Sequence, residues 1–363
     1  RIRSRRDRPM ALETLASLHS LLLRLILYTL SRIPLLIRLW IALCRIFVSS
    51  VYRAIRRSAC LKPIPPSDLD LPVLAARLSD SLYHVDSPGQ VAASIKTLML
   101  DSNLLHYEEQ PLMRTNSVWC LFEGRRNPQA EKALFLVFRG TMSPTDAIAD
   151  VMFRPEAGPN GVRCHGGFLR TVKEDSTLHA RLAQHLPGAA QLYIFGHSLG
   201  GALAQTIAGA GFLPKGFTGQ LTIVSLGGPV VFYGEPNVKA FDEPTAAARV
   251  MSIVNANDIV PRLLGCPLSF TRTVLSIFAS SHNLKQRQQQ EEVVDTLEHY
   301  RGFPGYELVF LYDGVAYKVP EKNRGLVLNL AEAISPRCIA DHLTYVVAVE
   351  KAAGVSNWTV STD

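Results

Sequence analysis

The stretch that most constrains the fold is Gln191–Gly211, QLYIFGHSLGGALAQTIAGAG. Leu192-Tyr193-Ile194-Phe195 is a short apolar run of strand type. Gly196-His197-Ser198-Leu199-Gly200 follows, and then a run of small residues, Gly201, Ala202, Ala204, Ala208 and Ala210. The second half reads as a helix packed closely on a sheet, with Gly211 as its C′ cap. A serine between such a strand and such a helix sits on a sharp turn. Glycines two before and two after it let the backbone bend without a Cβ clash. The turn lifts the hydroxyl to the carboxyl end of the sheet, and the helix N-terminus offers N–H groups to an oxyanion.

A serine hydroxyl is a weak nucleophile and needs a base, which in turn needs a third group to hold its tautomer. In a sheet with helices between its strands, such groups lie on loops at the carboxyl ends. Val250–Val254 reads as a strand leading into Asn257-Asp258-Ile259-Val260-Pro261, and His342 follows the strand Tyr306–Leu311, read as the last. The chain order Ser198, Asp258, His342 is that of α/β-hydrolases. Asp146 and Asp150 precede the serine, and Asp242 lies in an exposed helical segment. His197 is read as pointing away from the reacting face, and His165 as a structural hydrogen-bonder. His299 is the rival base, at the end of the Gln/Glu-rich stretch 280–300. The oxyanion donors expected are the amides of Leu199 and Thr141, with the Thr141 hydroxyl as a further donor.

The rest of the chain supports an α/β domain over 63–363. Residues 68–110 read as helical, with a turn at Ser87-Pro88-Gly89. Ser117–Phe122 and Ala133–Phe138 read as a hairpin-like pair of strands, and Leu169–Leu186 as one helix. Lys62–Ser67, KPIPPS, reads as a stiff linker at the domain boundary.

Charge is divided unevenly. Residues 1–62 hold 13 Lys/Arg against 2 Asp/Glu, whereas the remainder holds 25 against 29. The basic character therefore belongs to the N-terminal arm, which argues against a nucleic-acid-binding domain and for contact with anionic lipid. The nine residues ahead of Met10 read as upstream leader sequence. Along the arm, Arg24, Arg32, Arg38, Arg45 and Arg53 fall within an arc of about 140° at helical spacing. Leu and Ile cover much of the rest, and Pro34 kinks or splits the segment. No stretch of 18 residues here lacks an arginine, which favours an interfacial amphipathic helix over a spanning one. A spanning helix over 33–52 and a cleavable transit peptide stay open. The six cysteines show no metal-ligand spacing and read mostly as buried free thiols. No metal site and no cofactor is expected.

Taken together, Phe138-Arg139-Gly140-Thr141, Asp146–Asp150, His165-Gly166-Gly167-Phe168, Gly196–Ala202, Gly227-Gly228-Pro229, Asp258–Pro261 and Asp341–Tyr345 resemble the fungal-type (class 3) lipase family over about residues 95–350. The resemblance implies an α/β-hydrolase fold: a mostly parallel central sheet with helices on both faces. It implies Ser198, Asp258 and His342 as triad, Thr141 and Leu199 as oxyanion donors, and Pro144–Met152 (with Pro144, Ile148 and Met152) as lid. Ala147 stands where the family often has Trp, and the segment between Asp258 and His342 is longer than in compact secreted members. With the basic arm, this points to an intracellular enzyme acting on glycerolipid esters at a membrane or lipid-droplet surface. A phospholipase A1 or galactolipase on the same site is the alternative enzyme. A silent lipid-binding scaffold is the alternative of another class, although no triad member or elbow glycine is missing. The sequence assigns no oligomeric state.

Overall fold

The structure is a computed structural model and describes residues 61–112, 115–140, 154–264, 299–328 and 337–355. The arm up to residue 60, Thr141 and the expected lid residues Pro144, Ile148 and Met152 lie outside the described residues, as do Asp146 and Asp150.

In chain order, strand β1 is Lys62–Pro63, helix α1 Asp70–Ser81 and helix α2 Pro88–Leu98. Strands β2 (Leu100–Leu112), β3 (Thr115–Arg125) and β4 (Ala133–Phe138) follow, then the short β5 (Pro155–Ala157) and β6 (Arg163–His165). Next come α3 (Gly166–Glu174), α4 (Ser176–His185), β7 (Gln191–His197) and α5 (Leu199–Gly209). Strands β8 (Gln220–Leu226), β9 (Phe232–Tyr233), β10 (Arg249–Asn255), β11 (Tyr300–Arg301), β12 (Glu307–Tyr312) and β13 (Val315–Val319) complete the sheets. Helices α6 (Cys338–Leu343) and α7 (Tyr345–Ala352) close the described chain.

The main sheet has nine strands in the order β1-β13-β12-β10-β8-β7-β4-β3-β2. Its centre, from β12 to β4, is parallel, and both flanks are antiparallel. Strands covered on both faces read as unbroken apolar runs, and β4 is buried at all six positions. Alternation then sends Leu134, Leu136 and Phe138 into one core with α3, α4 and α5. Phe135 and Val137 join the other core with α1, α2 and α7. On that second face Phe122, Phe135 and Tyr193 stack across neighbouring strands, with centroids 5.0 and 4.8 Å apart. A smaller antiparallel sheet, β11-β9-β6-β5, lies beside the first.

Five expectations change. Helix ends at Leu98, and Leu100–Leu112 is a strand paired with β3. Register shifts after Leu100 and after Leu104 break its period-two alternation, which hides the strand in the sequence. Ser87-Pro88-Gly89 is a helix start: the Ser87 hydroxyl accepts from Gln90 N–H, and Pro88 is the first residue of α2. The expected helix 169–186 is two. Buried Asp175 ends α3 and caps α4, its carboxylate accepting from Leu178 N–H at 2.8 Å and from Trp119 Nε1–H at 2.9 Å. The strand ending at Tyr312 is followed by β13, across a turn in which Asp313 and Gly314 both have positive φ, 49° and 75°. The Pro-rich linker, finally, is docked: Lys62 and Pro63 pair with Lys318 and Tyr317 at the sheet edge, where proline is tolerated. Cys120 and Cys164 are buried free thiols and Cys338 is a half-buried one. Among the described residues, no helix is long and apolar enough to cross a membrane.

Candidate active site

The turn between β7 and α5 is tight because nothing larger than glycine fits around it. A Cβ on Gly196 would sit 2.2 Å from the carbonyl carbon and oxygen of Gly200, and 2.6 Å from the nitrogen of Gly201. Helix α5 can therefore start directly against the end of β7. Ser198 takes up the bend with φ 56° and ψ −124°, a conformation costing an L-residue on the order of 1–3 kcal/mol. Its amide donates to the Leu226 carbonyl at 2.8 Å, and its carbonyl accepts from Gly201 and Ala202. Leu199 is the first residue of α5, where an amide has no intrahelical acceptor and the helix dipole favours negative charge.

Ser198, His342 and Asp258 meet at the carboxyl ends of the parallel strands. Ser198 follows β7, Asp258 follows β10, and His342 sits on the short helix α6 rather than on a loop. His342 Nε2 is 2.8 Å from Ser198 Oγ, and Nδ1 is 3.0 Å from both oxygens of Asp258. A carboxylate accepts, so Nδ1 carries the proton and Nε2 presents its lone pair to the serine. All three are buried.

Asp258 is fixed from several directions. Val260 N–H donates to Oδ1 at 2.9 Å, and the Tyr345 hydroxyl donates to Oδ2 at 2.6 Å. The Tyr345 oxygen in turn accepts from the Asn255 amide at 2.9 Å. Burial, and then the adjacent Asp258, push the Tyr345 phenol well up, so it stays a donor. Buried Arg262 donates to the carbonyls of Asp258, Ala256 and Val327, pinning the turn after β10. Asp341 locks the two loops together: Oδ2 accepts from Asn257 N–H and Nδ2–H at 3.0 and 2.9 Å, and its carbonyl accepts from Asn255 Nδ2–H at 2.7 Å.

His197 does more than point away. Its Nε2 is 2.9 Å from the His342 carbonyl oxygen, its Nδ1 is 2.8 Å from the Tyr83 hydroxyl, and its ring lies 4.7 Å from that of His342. Sequence reasoning gave no role to Tyr83 or Arg262. Tyr345 ends the Asp341–Tyr345 motif, whose sequence assigns it no role. The other candidates lie elsewhere. His299 packs on Tyr233 of the second sheet, exposed Asp242 caps a short helix at Glu243, and His165 is buried against Phe168 and Tyr300. Thr141, the second expected oxyanion donor, lies outside the described residues.

The family model for class 3 lipases matches residues 135–268. A lipase of Rhizopus oryzae is 33% identical over 141 residues, 37% of this chain and 35% of that one. A Caenorhabditis elegans lipase is 29% identical over 184 residues, 45% of this chain and 49% of that one. The chain thus spans between about a third and a half of the curated relatives it matches. Among solved structures, the Lip2 lipase of Yarrowia lipolytica superposes with a TM-score of 0.50 at 18% identity, covering 79% of this chain and 96% of that one. The Rhizomucor miehei triacylglyceride lipase superposes with a TM-score of 0.51 at 18% identity, covering 81% and 99%. The fold is that of the α/β-hydrolases.

Proposed function

We propose that the chain, whose residues 135–268 match the family model for class 3 lipases, hydrolyses carboxylic esters of glycerolipids at a lipid surface. The observation that carries this reading is the Ser198–His342–Asp258 arrangement on a strained strand-to-helix turn. Ser198 Oγ attacks the ester carbonyl carbon and passes its proton to His342 Nε2. The developing oxyanion is met by the Leu199 amide at the helix start, with Thr141 as the second donor. The Asp258 carboxylate stabilises the imidazolium. His342 then gives its proton to the leaving alcohol, and the acyl-enzyme forms. Water, deprotonated by the same histidine, releases the fatty acid and restores the serine.

The lipid surface enters through the arm. Its concentration of Arg beside Leu and Ile suits an anionic membrane interface or a droplet surface, and we place the enzyme on an intracellular membrane. The test is a hydrolysis screen of the purified chain over defined triacylglycerols, diacylglycerols, phospholipids and galactolipids. Release of fatty acid from acylglycerols supports the reading. Release from phospholipids or galactolipids alone would reassign the substrate, and no release from any ester would overturn it.

A further inference from the structure

We infer that Tyr83 and His197 are positioning residues: they form an oriented hydrogen-bond chain tying the segment that leaves β4 to the backbone of His342, and so hold the triad in register. The inference rests on the ester-hydrolase reading above and adds two side chains to it.

The direction of every bond in the chain is fixed. The His342 carbonyl can only accept, so the His197 Nε2 at 2.9 Å carries a proton. Burial, and then the neighbouring His342, pull the His197 pKa down to about 4, so its ring is neutral at pH 7. Nδ1 is therefore a lone pair, and the Tyr83 hydroxyl at 2.8 Å must donate to it. The same oxygen accepts the Gly140 amide at 3.0 Å. The three bonds run one way, from the Gly140 amide through the phenol and the imidazole to the His342 carbonyl. Bonds so aligned polarise one another.

The chain also has no slack. A Cβ on Gly140 would lie 2.5 Å from the Tyr83 hydroxyl oxygen, 2.6 Å from the His197 carbonyl oxygen and 2.9 Å from Ser198 Cβ. The phenol therefore sits wedged where β4 ends beside the nucleophile. His197 grips His342 twice, through the main-chain carbonyl and by ring contact at 4.7 Å. It also touches the Tyr345 ring at 5.4 Å, next to the group that holds Asp258. Tyr83 lies just beyond α1, well ahead of the segment the family model matches. The helical region before β2 is thereby joined to the site.

The test compares full-length variants on a short, dispersed ester, with kcat expressed per serine titratable by a fluorophosphonate. Tyr83→Phe keeps the ring and removes only the hydroxyl. Its kcat is expected to fall about ten- to a hundred-fold, with KM changed less than about two-fold, because a small misplacement of His342 acts on the chemical step. His197→Gln keeps an N–H able to reach the His342 carbonyl, whereas His197→Leu does not. The glutamine variant is expected to retain at least about ten-fold more kcat than the leucine variant. The double variant Tyr83→Phe/His197→Leu should be no worse than His197→Leu alone, since both cut one chain. Wild-type kcat in folded Tyr83→Phe, or equal kcat in the two His197 variants, would overturn the inference. If Tyr83→Phe failed to fold, the two His197 variants would decide. A wild-type chain that neither takes the phosphonate nor turns over any ester would instead overturn the ester-hydrolase reading itself.

Discussion

His197 gives a prediction whose size follows from its surroundings. The imidazole is enclosed between Tyr83, His342 and Tyr345, and its pKa drops from 6.5 to about 4 on folding. The unfolded chain takes up this proton as pH falls below about 6.5, while the folded chain does not until about 4. Across that window the unfolded state binds more protons, so stability is lost on acidification. Its contribution is whole above pH 6.5 and gone below about 4; the shift is worth about 3 kcal/mol. His197→Gln removes the titration and keeps a polar side chain. Urea denaturation of both proteins at several pH values between about 4.5 and 7 isolates the effect. Asp80 and Asp175, whose pKa values burial raises, pull the other way but are common to both chains and cancel. The glutamine variant is expected to lose markedly less stability over the window, by a margin approaching the full figure. Parallel stability profiles would refute the claim that His197 is held neutral by burial.

Ser198→Ala and His342→Ala should each lower ester turnover by on the order of 10⁶, with no further loss when combined. His299→Ala should be mild, since His299 packs on Tyr233 in the second sheet, and a reversed ranking of the histidines in steady-state assays would break the triad assignment. Gly196→Ala should destabilise by at least about 1–3 kcal/mol in urea titration, because its Cβ would meet the Gly200 backbone at 2.2 Å; wild-type stability there would contradict the described turn. A chain begun at Leu61 keeps the β1–β13 pairing and should hydrolyse a dispersed short ester normally. On anionic vesicles it should act poorly, and salt should only partly release the full-length protein; equal vesicle activity would remove the arm from substrate access.

The elbow was legible because its physics is local: an apolar strand, a turn that only glycine permits at 196, and a helix of small residues share one stretch. Asp258 and His342 were legible through chain order. The clamps around them were not. Tyr83 reaches His197, Arg262 reaches Val327 and Tyr345 reaches Asn255 across long sequence separations that no local spacing encodes. Strand β2 resembles helix in the sequence because its bulges erase the alternation. Strand β13 was a different miss, since the Asp313-Gly314 turn announcing it is a strong hairpin signal. The break at Asp175 is also a local signal, since Asp is a favoured N-cap and its carboxylate accepts from Leu178 N–H three residues on; only its bond to Trp119 depends on the fold.

The most direct test of the central claim is covalent. The purified chain is reacted with a fluorophosphonate, and the adduct is mapped by peptide mass spectrometry. Ser198 Oγ is expected to displace fluoride and carry the sole phosphonyl group, and the adduct should vanish in Ser198→Ala and be strongly slowed in His342→Ala and Asp258→Asn. An adduct on another residue, or ester hydrolysis that persists in Ser198→Ala, would contradict the account.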